Sequence, residues 1–564
     1  MTPRLLLAAL ALTALSACRT TAPADAPAAP VSSTAGVDYA TLQTYRFEED
    51  VRPLLIARDV LASSATQTPG DPARYTLDAI LMAGPSGFVV PFDPEGSLLV
   101  RFVDDLPGDA AIPFPNLRRL APAELEYLKR WIDDGVRDAS GRPAFADAHD
   151  LLFAGVQGEN HVAIVDAMSL RIVRRVYFAD HGIPSAPYGP HHFTFEPDGS
   201  AWYASLVSAG VVAKLSLDLS LDPSDPAFLL GRTPAGAFAT PGMLALDPTS
   251  SRLVVGRSTL SDPLASGFAV VDRQTMAVET IATPFNVPHA MALTPDGRFA
   301  LTAELTGSQA VSRLAVYDTA SGDLRLVPLP AQGTPRELIH FSILGPHMMA
   351  AMGMGGMDHA GMDHAGMDHA GMDPDAAMGE GYPYTVTLTS RSSDEVLFLS
   401  LAEDGTLTFV ASAPAGDGPY HAHAGHDGRT LLIPDQRGDT VTLVDAQTRE
   451  TVRSIALSAP AGPLSQPHSP APGMHGDRFF VTSSNLDGAW TPPFLFAGPD
   501  GQPREAKAFG NLAAVSMDGT LLGTVQLGAY PSGLEPFILS HEHDASHDRS
   551  HDGMDHGSHD GMMP

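Results

Sequence analysis

Between Leu151 and Leu539, apolar and polar positions alternate in short runs typical of half-buried β-strands. The runs Val162 to Val165, Val211 to Leu217 and Arg298 to Thr302 are examples, and turn sequences such as Pro-Asp-Gly separate such runs. Tyr39 to Asp138 has a different pattern, with apolar residues at helical spacing. The pattern therefore predicts a small helical region followed by a long region of many short strands.

A proline-led step recurs at seven predicted strand starts. The steps begin at Pro190, Pro241, Pro288, Pro335, Pro419, Pro467 and Pro531. Their spacings are 51, 47, 47, 84, 48 and 64 residues, and a repeat of this length indicates a propeller or a solenoid. We expect Leu151 to Phe178 to supply three outer strands of a blade whose inner strand is Pro531 to Leu539, because such closure protects the sheet edges.

Several predicted strands end in the same way, with the form apolar-x-apolar-Asp before a short turn. The aspartates are Asp166, Asp272, Asp318 and Asp445. This form resembles the YVTN-type repeats of bacterial seven-bladed β-propellers. The resemblance covers residues 151–539 and implies a mainly β fold, a seven-bladed β-propeller. It says little about activity, because propellers host many functions.

Residues 39–140 form the predicted N-terminal domain. Within it, Pro122 to Val136 is predicted to be an amphipathic helix. The segments Phe47 to Leu55, Val89 to Leu99 and Leu128 to Gly135 resemble those of the small all-α cytochrome c-like domains found beside bacterial propellers.

This segment lacks the residues that hold haem in that family. The family's haem-attachment motif would fall on Asp59, Ala62 and Ser63, and its axial methionine near Ile112 to Phe114. A c-type haem needs thioether bonds and axial ligands, so we expect no c-type haem. The domain is then a spacer or a docking domain.

The first 18 residues have the pattern of a secretory signal, with Arg4 followed by the apolar run Leu5 to Leu15. The ending Leu-Ser-Ala-Cys resembles a bacterial lipoprotein signal, which implies lipidation of Cys18, export and a membrane anchor. Arg19 stands where an aspartate would retain the protein in the inner membrane, which implies an outer-membrane location facing the periplasm. Residues 19–38 are predicted to be a flexible linker.

The composition is strongly acidic. The 564 residues carry 65 acidic and 34 basic side chains, a net charge of −31. Nucleic acid is therefore excluded as an expected partner, since binding it needs a basic surface. Cations are suitable ligands for such a chain, although the charge also serves solubility.

Two segments are rich in methionine and histidine: an insertion at residues 347–380 and an acidic tail at residues 541–564. The candidate ligands are Met357, His359, Met362, His364, Met367, His369, His541, His543, His547, His551, His556 and His559. Imidazole binds copper, zinc and nickel, and thioether selects Cu(I). The segments resemble the Met/His tracts of periplasmic copper-resistance proteins, which implies copper. Zinc or nickel remains a competitor, and an incidental low-complexity expansion is the alternative.

The proline-led steps supply a second set of candidate metal ligands, because the inner strands of a propeller line its central channel. These ligands are His191, His192, His289, His421 and His468, with His423 one step deeper on the same face as His421. The set resembles the copper-binding propeller of nitrous oxide reductase, but that family's second, cysteine-containing copper domain is absent. The alternative is that these histidines pack as structural residues.

Four glutamates near blade ends are weaker candidates for partners of these histidines: Glu196, Glu304, Glu337 and Glu535. Acids at such positions are usually solvated or paired with arginines.

The sequence thus predicts an exported, lipid-anchored copper-binding protein that captures, buffers or delivers metal. One alternative is a metal-dependent oxidoreductase that uses the channel site. Another is a propeller scaffold that binds a protein or a tetrapyrrole. The expected partners are metal ions, the membrane through the lipid anchor and a periplasmic protein.

Overall fold

The computed structural model describes residues 37–58, 74–104, 120–184, 188–258, 267–285, 287–305, 312–331, 336–344, 381–457, 464–495 and 504–538. The lipoprotein signal with Cys18, the haem-motif positions 59–63 and 112–114, the Met/His insertion at 347–380 and the tail at 541–564 lie outside these residues. The predictions made for them therefore stay predictions. Among the described helices, none has the length and apolar character needed to cross a membrane.

The N-terminal segment contains a π-helical turn and four α-helices. The turn spans Phe47–Val51, and the helices are α1 (Arg52–Ala57), α2 (Leu77–Leu81), α3 (Leu98–Asp104) and α4 (Pro122–Asp133). The predicted helix at Pro122 is thus present and ends three residues earlier than expected. Proline is at its first position, where no amide hydrogen is needed, and the Glu124 carboxylate accepts the Ala121 N–H at 2.8 Å.

The apolar face of α4 anchors a separate core. Tyr127, Leu128, Trp131 and Ile132 are fully buried, and the Trp131 ring stacks on Phe47 with centroids 5.9 Å apart. The helices and this core agree with the helical pattern, whereas the likeness to cytochrome c stays a prediction.

The rest of the described chain forms 28 strands. They are β1 (Asp150–Val156), β2 (His161–Asp166), β3 (Arg171–Tyr177), β4 (Pro190–Phe195), β5 (Ala201–Leu206), β6 (Val211–Ser216), β7 (Leu229–Arg232), β8 (Thr240–Leu246), β9 (Arg252–Ser258), β10 (Gly267–Asp272), β11 (Val278–Ala282), β12 (Pro288–Leu293), β13 (Phe299–Glu304), β14 (Arg313–Asp318), β15 (Leu324–Pro328), β16 (Leu338–Leu344), β17 (Tyr384–Ser390), β18 (Glu395–Leu401), β19 (Leu407–Pro414), β20 (His423–Ala424), β21 (Thr430–Asp435), β22 (Thr440–Asp445), β23 (Glu450–Ala456), β24 (Pro467–Pro472), β25 (Arg478–Ser483), β26 (Asn511–Ser516), β27 (Leu521–Gln526) and β28 (Pro531–Ile538).

These strands form seven four-stranded antiparallel sheets, the blades of a seven-bladed β-propeller. Blade 1 has the order β28-β1-β2-β3, so the last described strand closes the ring beside the first, as the sequence predicted. Blades 2 to 7 follow in chain order and begin with β4, β8, β12, β16, β20 and β24. The seven-bladed propeller is therefore confirmed.

The inner strands β4, β8, β12, β16, β24 and β28 each shift register near their start against the neighbouring strand. On β4 the shift falls between Pro190 and Phe193, so His191 and His192 lie in the irregular stretch. Such bulges re-aim side chains. In blade 6, Pro419 forms only an isolated bridge before β20 begins.

One predicted step was placed wrongly. The proline-led step of blade 5 was predicted at Pro335, whereas the inner strand β16 begins at Leu338 and its register shift lies between Leu338 and Phe341. The equivalent of Pro190-His191-His192-Phe193 is therefore Leu338-Ile339-His340-Phe341. Proline spacing alone missed this because blade 5 has no proline at that position.

The helical segment packs on blade 1. The Arg175 guanidinium on β3 donates to the Asp93 carboxylate at 2.7 Å and to the Gly96 carbonyl at 2.8 Å. Val90 also joins an apolar cluster with blade 1 residues, including Leu152. This contact lies on the outer side of the propeller, away from its channel histidines.

Candidate metal centre

Three histidines from three blades converge in the channel. One ring nitrogen from each of His191 on β4, His289 on β12 and His421 before β20 lies within 4.8 Å of the other two. The closest pair is His191 Nε2 and His289 Nε2, which are 3.2 Å apart. We call these three residues the histidine triad.

Backbone contacts fix the direction of one triad ring. His289 Nδ1 lies 2.9 Å from the Ile339 carbonyl oxygen, which can only accept a hydrogen bond. Nδ1 therefore carries the proton in the neutral ring, and Nε2 presents its lone pair toward His191. This pattern, in which a carbonyl holds one ring nitrogen and frees the other, is common among metal-binding histidines.

Two further histidines surround the triad. The His421 ring centroid lies 5.1 Å from that of His340 and 4.8 Å from that of His468. We call His340, His468 and the triad together the imidazole cluster. His468 is fully buried, and His340 is 9% exposed.

Several nitrogen atoms of the imidazole cluster are buried without a hydrogen-bond partner. They are His191 Nδ1, His340 Nδ1, His421 Nε2 and both ring nitrogens of His468. A buried polar atom without a partner carries a desolvation cost of about 1–3 kcal/mol, so five such atoms in one place require an explanation. A bound ion that accepts the one lone pair of a neutral ring is one such explanation for the acceptor nitrogens among them.

Burial also keeps these rings uncharged at neutral pH. Desolvation lowers the pKa of His468 to about 3. Burial, reinforced by the neighbouring imidazoles, holds the pKa values of His191, His340 and His421 well below their usual range. The pKa of His289 is lowered in the same direction by burial. A neutral imidazole is the form that binds a metal ion.

Further along the inner strands, two other histidines share a carboxylate. His192 Nε2 lies 3.2 Å from Glu535 Oε1, and His423 Nε2 lies 3.1 Å from Glu535 Oε2. We call His192, His423 and Glu535 the carboxylate layer. Burial lowers the pKa of His423, but Glu535 outweighs it and the net shift is upward. Burial acts to raise the pKa of Glu535, yet the two imidazoles bring it well below its usual value.

The tautomer of His192 separates it from the triad. The Leu244 backbone N–H donates to His192 Nδ1 at 3.2 Å, so Nε2 carries the proton and donates to Glu535. His192 therefore has no free lone pair in this arrangement, and its role is to hold the carboxylate.

A cavity of about 340 Å³ connects the two groups. It is lined by His192, His340, His423 and Glu535, and by later residues of the inner strands such as Ser342 and Leu344. On the other side of the imidazole cluster, the rings of Tyr420 and Tyr530 lie 4.4 Å and 6.0 Å from that of His468. The cluster thus has aromatic rings on one side and a cavity on the other.

The structure brings together all six channel histidines that the sequence singled out, in two groups. His191, His289, His421 and His468 belong to the imidazole cluster, and His192 and His423 belong to the carboxylate layer. His340 was not predicted from the sequence, and the bulge register of β16 is the signal that identifies it.

Of the four glutamates considered, only Glu535 joins the channel histidines. Glu196 pairs with Lys214 at 3.3 Å and with Arg273. Glu304 lies 3.8 Å from Arg313, and Glu337 lies 3.5 Å from Arg391. These three fit the expectation that such acids pair with cations.

Neither a protein-family model nor a curated protein sequence matches the chain. Solved structures with a related shape include hydrazine synthase of Kuenenia stuttgartiensis, at 15% identity, 59% of this chain, 89% of that chain and a TM-score of 0.41. The dihydro-haem d1 dehydrogenase NirN is 13% identical, covers 80% of this chain and 94% of its own, and has a TM-score of 0.43. Apo AztD of Citrobacter koseri is 12% identical, covers 69% of this chain and 98% of its own, and has a TM-score of 0.40. At these scores the likenesses assign no activity or ligand.

Proposed function

We propose that this protein binds a copper ion in the propeller channel through His191, His289 and His421, and captures or delivers that ion. The observation that carries the proposal is the convergence of three neutral imidazoles from three blades, two of which, His191 and His421, each have a buried ring nitrogen without a hydrogen-bond partner. Among divalent first-row ions, Cu²⁺ binds nitrogen donors more tightly than nickel or zinc. Zinc and nickel are the competing ions, because three neutral imidazoles suit them as well.

A capture or delivery role is supported by the sequence outside the described residues. The two Met/His segments offer many nitrogen and sulfur donors of different softness, and the net charge of −31 favours cations. The signal-like first 18 residues add the proposal that the protein is exported and anchored through a lipid on Cys18. Mass spectrometry of the mature amino terminus tests the anchor, and an unmodified cysteine would remove that part.

The test of the metal site compares two triple variants of the full chain. His191→Ala, His289→Ala and His421→Ala together remove the triad, and His359→Ala, His364→Ala and His369→Ala remove the same number of imidazoles from the insertion. Titration with Cu²⁺ and with Zn²⁺ against a chromophoric chelator gives stoichiometry and affinity for each. We expect the triad variant alone to lose the tightest site.

Each other outcome contradicts part of the proposal. If the wild-type protein has no tight site, or if the triad variant keeps it, the channel does not bind the metal. If Zn²⁺ outcompetes Cu²⁺ at the tight site after correction for free-ion concentration, the ion is zinc rather than copper.

A second candidate function is a metal-dependent oxidoreductase, and the 340 Å³ cavity beside the imidazole cluster favours it because a small substrate fits there. The measurement that separates the two functions is redox cycling of the copper-loaded protein with small-molecule reductants and oxygen. Turnover that disappears in the triad variant supports catalysis, and absence of turnover supports capture or delivery.

A further inference from the structure

The carboxylate layer lines a cavity beside the imidazole cluster, and two of its members are more exposed than His421. The side chains of His423 and Glu535 are 29% and 15% exposed, whereas His421 is 2% exposed. All of the carboxylate layer lines the 340 Å³ cavity, together with His340. Glu535 is the only carboxylate among the described residues that line this cavity.

The geometry of the layer suits a metal ion. His423 Nε2 and Glu535 Oε2 are 3.1 Å apart. Ligand nitrogen and oxygen atoms at about 2.0–2.2 Å from one Zn²⁺ ion in tetrahedral geometry are separated by about 3.4 Å. A small movement would therefore place both atoms on one ion, and the proton that His423 Nε2 donates to Glu535 would be released to solvent as the ion binds. His192 donates to the other carboxylate oxygen and holds Glu535 in place.

His340 links this pair to the triad. Its ring lies 5.1 Å from that of His421, and its buried Nδ1 has no hydrogen-bond partner. An ion that leaves Glu535 and His423 therefore meets another imidazole before it reaches the triad. Because Tyr420 and Tyr530 pack on His468 at the other side of the cluster, the cavity offers the more open approach.

We propose that Glu535 and His423 form an outer metal-binding site through which a metal ion enters and leaves the histidine triad. The inference rests on the proposed function for its destination, the triad, and adds a second site and a route. The ligand is the same copper or zinc ion in transit. Glu535 supplies charge and one oxygen ligand, His423 supplies one nitrogen ligand, and His192 positions the carboxylate.

The test uses rates, because a site on the route changes the speed of loading without changing the final affinity. Full-length wild-type protein and Glu535→Gln are mixed with Cu²⁺ in a stopped-flow instrument, and quenching of intrinsic fluorescence is followed. The phase of fluorescence quenching that is absent from the triad variant reports metal binding in the channel. Glu403→Gln removes the same charge from an exposed turn and is the matched control.

We expect Glu535→Gln to slow both association and dissociation by at least fivefold, with the dissociation constant within twofold of wild type. His423→Asn should slow loading in the same way, and Glu403→Gln should behave as wild type. Circular dichroism checks that each variant is folded.

Three results would overturn the inference. Equal rates in Glu535→Gln and wild type would remove the outer site from the route. A loss of affinity of more than tenfold would make Glu535 part of the tight site itself. Equal slowing by Glu403→Gln would reduce the effect to overall charge. If wild type lacks the channel phase altogether, it is the proposed function that fails, so the two failures are distinguishable.

Discussion

The two histidine groups of the channel are built from neighbouring residues and yet differ in chemistry. His191 and His421 have ring nitrogens without hydrogen-bond partners, whereas His192 and His423 both bond to Glu535. The pairs are one and two residues apart in sequence. Burial alone does not account for the difference, because His191 and His192 are 7% and 8% exposed.

The difference shows that burial and partner satisfaction are separate properties of a histidine. A buried imidazole bonded to a carboxylate is already satisfied, and a metal would have to compete for it. A buried imidazole without a partner gains from a metal ion without losing a hydrogen bond. In the triad, His421 Nε2 and His191 Nδ1 have no hydrogen bond to lose, and His191 Nε2 and His289 Nε2 bond only to each other. The triad is therefore the better candidate for tight binding, and the carboxylate layer for transient binding.

The largest expected effect is the difference in copper affinity between two single variants, one that removes a triad histidine and one that removes a histidine of the carboxylate layer. His421→Ala deletes a triad ligand and should weaken copper affinity by at least about 100-fold, because loss of a ligand exceeds the 10–100-fold effect of losing an outer-shell partner. His423→Ala should weaken it by less than tenfold. Chelator competition at equilibrium measures both affinities.

If the two variants lose the same affinity, the distinction between the groups is wrong and all six sequence-predicted histidines act as one site. If His423→Ala has the larger effect, the tight site lies in the carboxylate layer and the triad is structural.

A smaller effect is expected on the stability of the metal-free protein as the pH falls. His468 has a folded-state pKa of about 3, below the unfolded value of about 6.5, so between these values the unfolded chain binds a proton that the folded protein does not. Stability therefore falls as the pH decreases, by up to about 1.4 kcal/mol per pH unit for this residue. His468→Asn removes that contribution.

Thermal unfolding of metal-free wild type and His468→Asn at several pH values between 6.5 and 4.5 measures the slope. We expect the melting temperature of the variant to decline less steeply. Parallel slopes would mean that His468 is protonated in the folded protein, which would contradict its neutral state in the cluster.

The sequence predicted the propeller well because its signals are local and repeated. Alternating apolar positions, turn residues and proline spacing each follow from strand geometry. Ring closure by the strand at Pro531 was also predictable, because the first unit lacked an inner strand. The one error in placing a proline-led step, at Pro335, arose because the repeat has Leu338 where the other blades have proline.

The site was predicted less completely. Sequence position predicted which histidines reach the channel. It could not predict that His191 joins the imidazole cluster and His192 the carboxylate layer. That separation depends on the bulge in β4, on the Leu244 N–H in the next blade and on Glu535 from the far end of the chain. Contacts between residues 52 and 343 positions apart carry no pattern in a single sequence.

The smallest expected effect belongs to a buried histidine outside the channel. His161 on β2 is 4% exposed and its Nδ1 also has no hydrogen-bond partner. Burial lowers its pKa to about 4, although Glu159 opposes the shift. Its neighbours are Glu159 and Tyr177 rather than other imidazoles. His161→Ala should therefore leave copper affinity within twofold of wild type, measured beside His421→Ala by the same competition. If His161→Ala weakened copper binding as strongly as His421→Ala, a buried nitrogen without a partner would affect affinity even where no other imidazole is near. The triad would then not be the metal site.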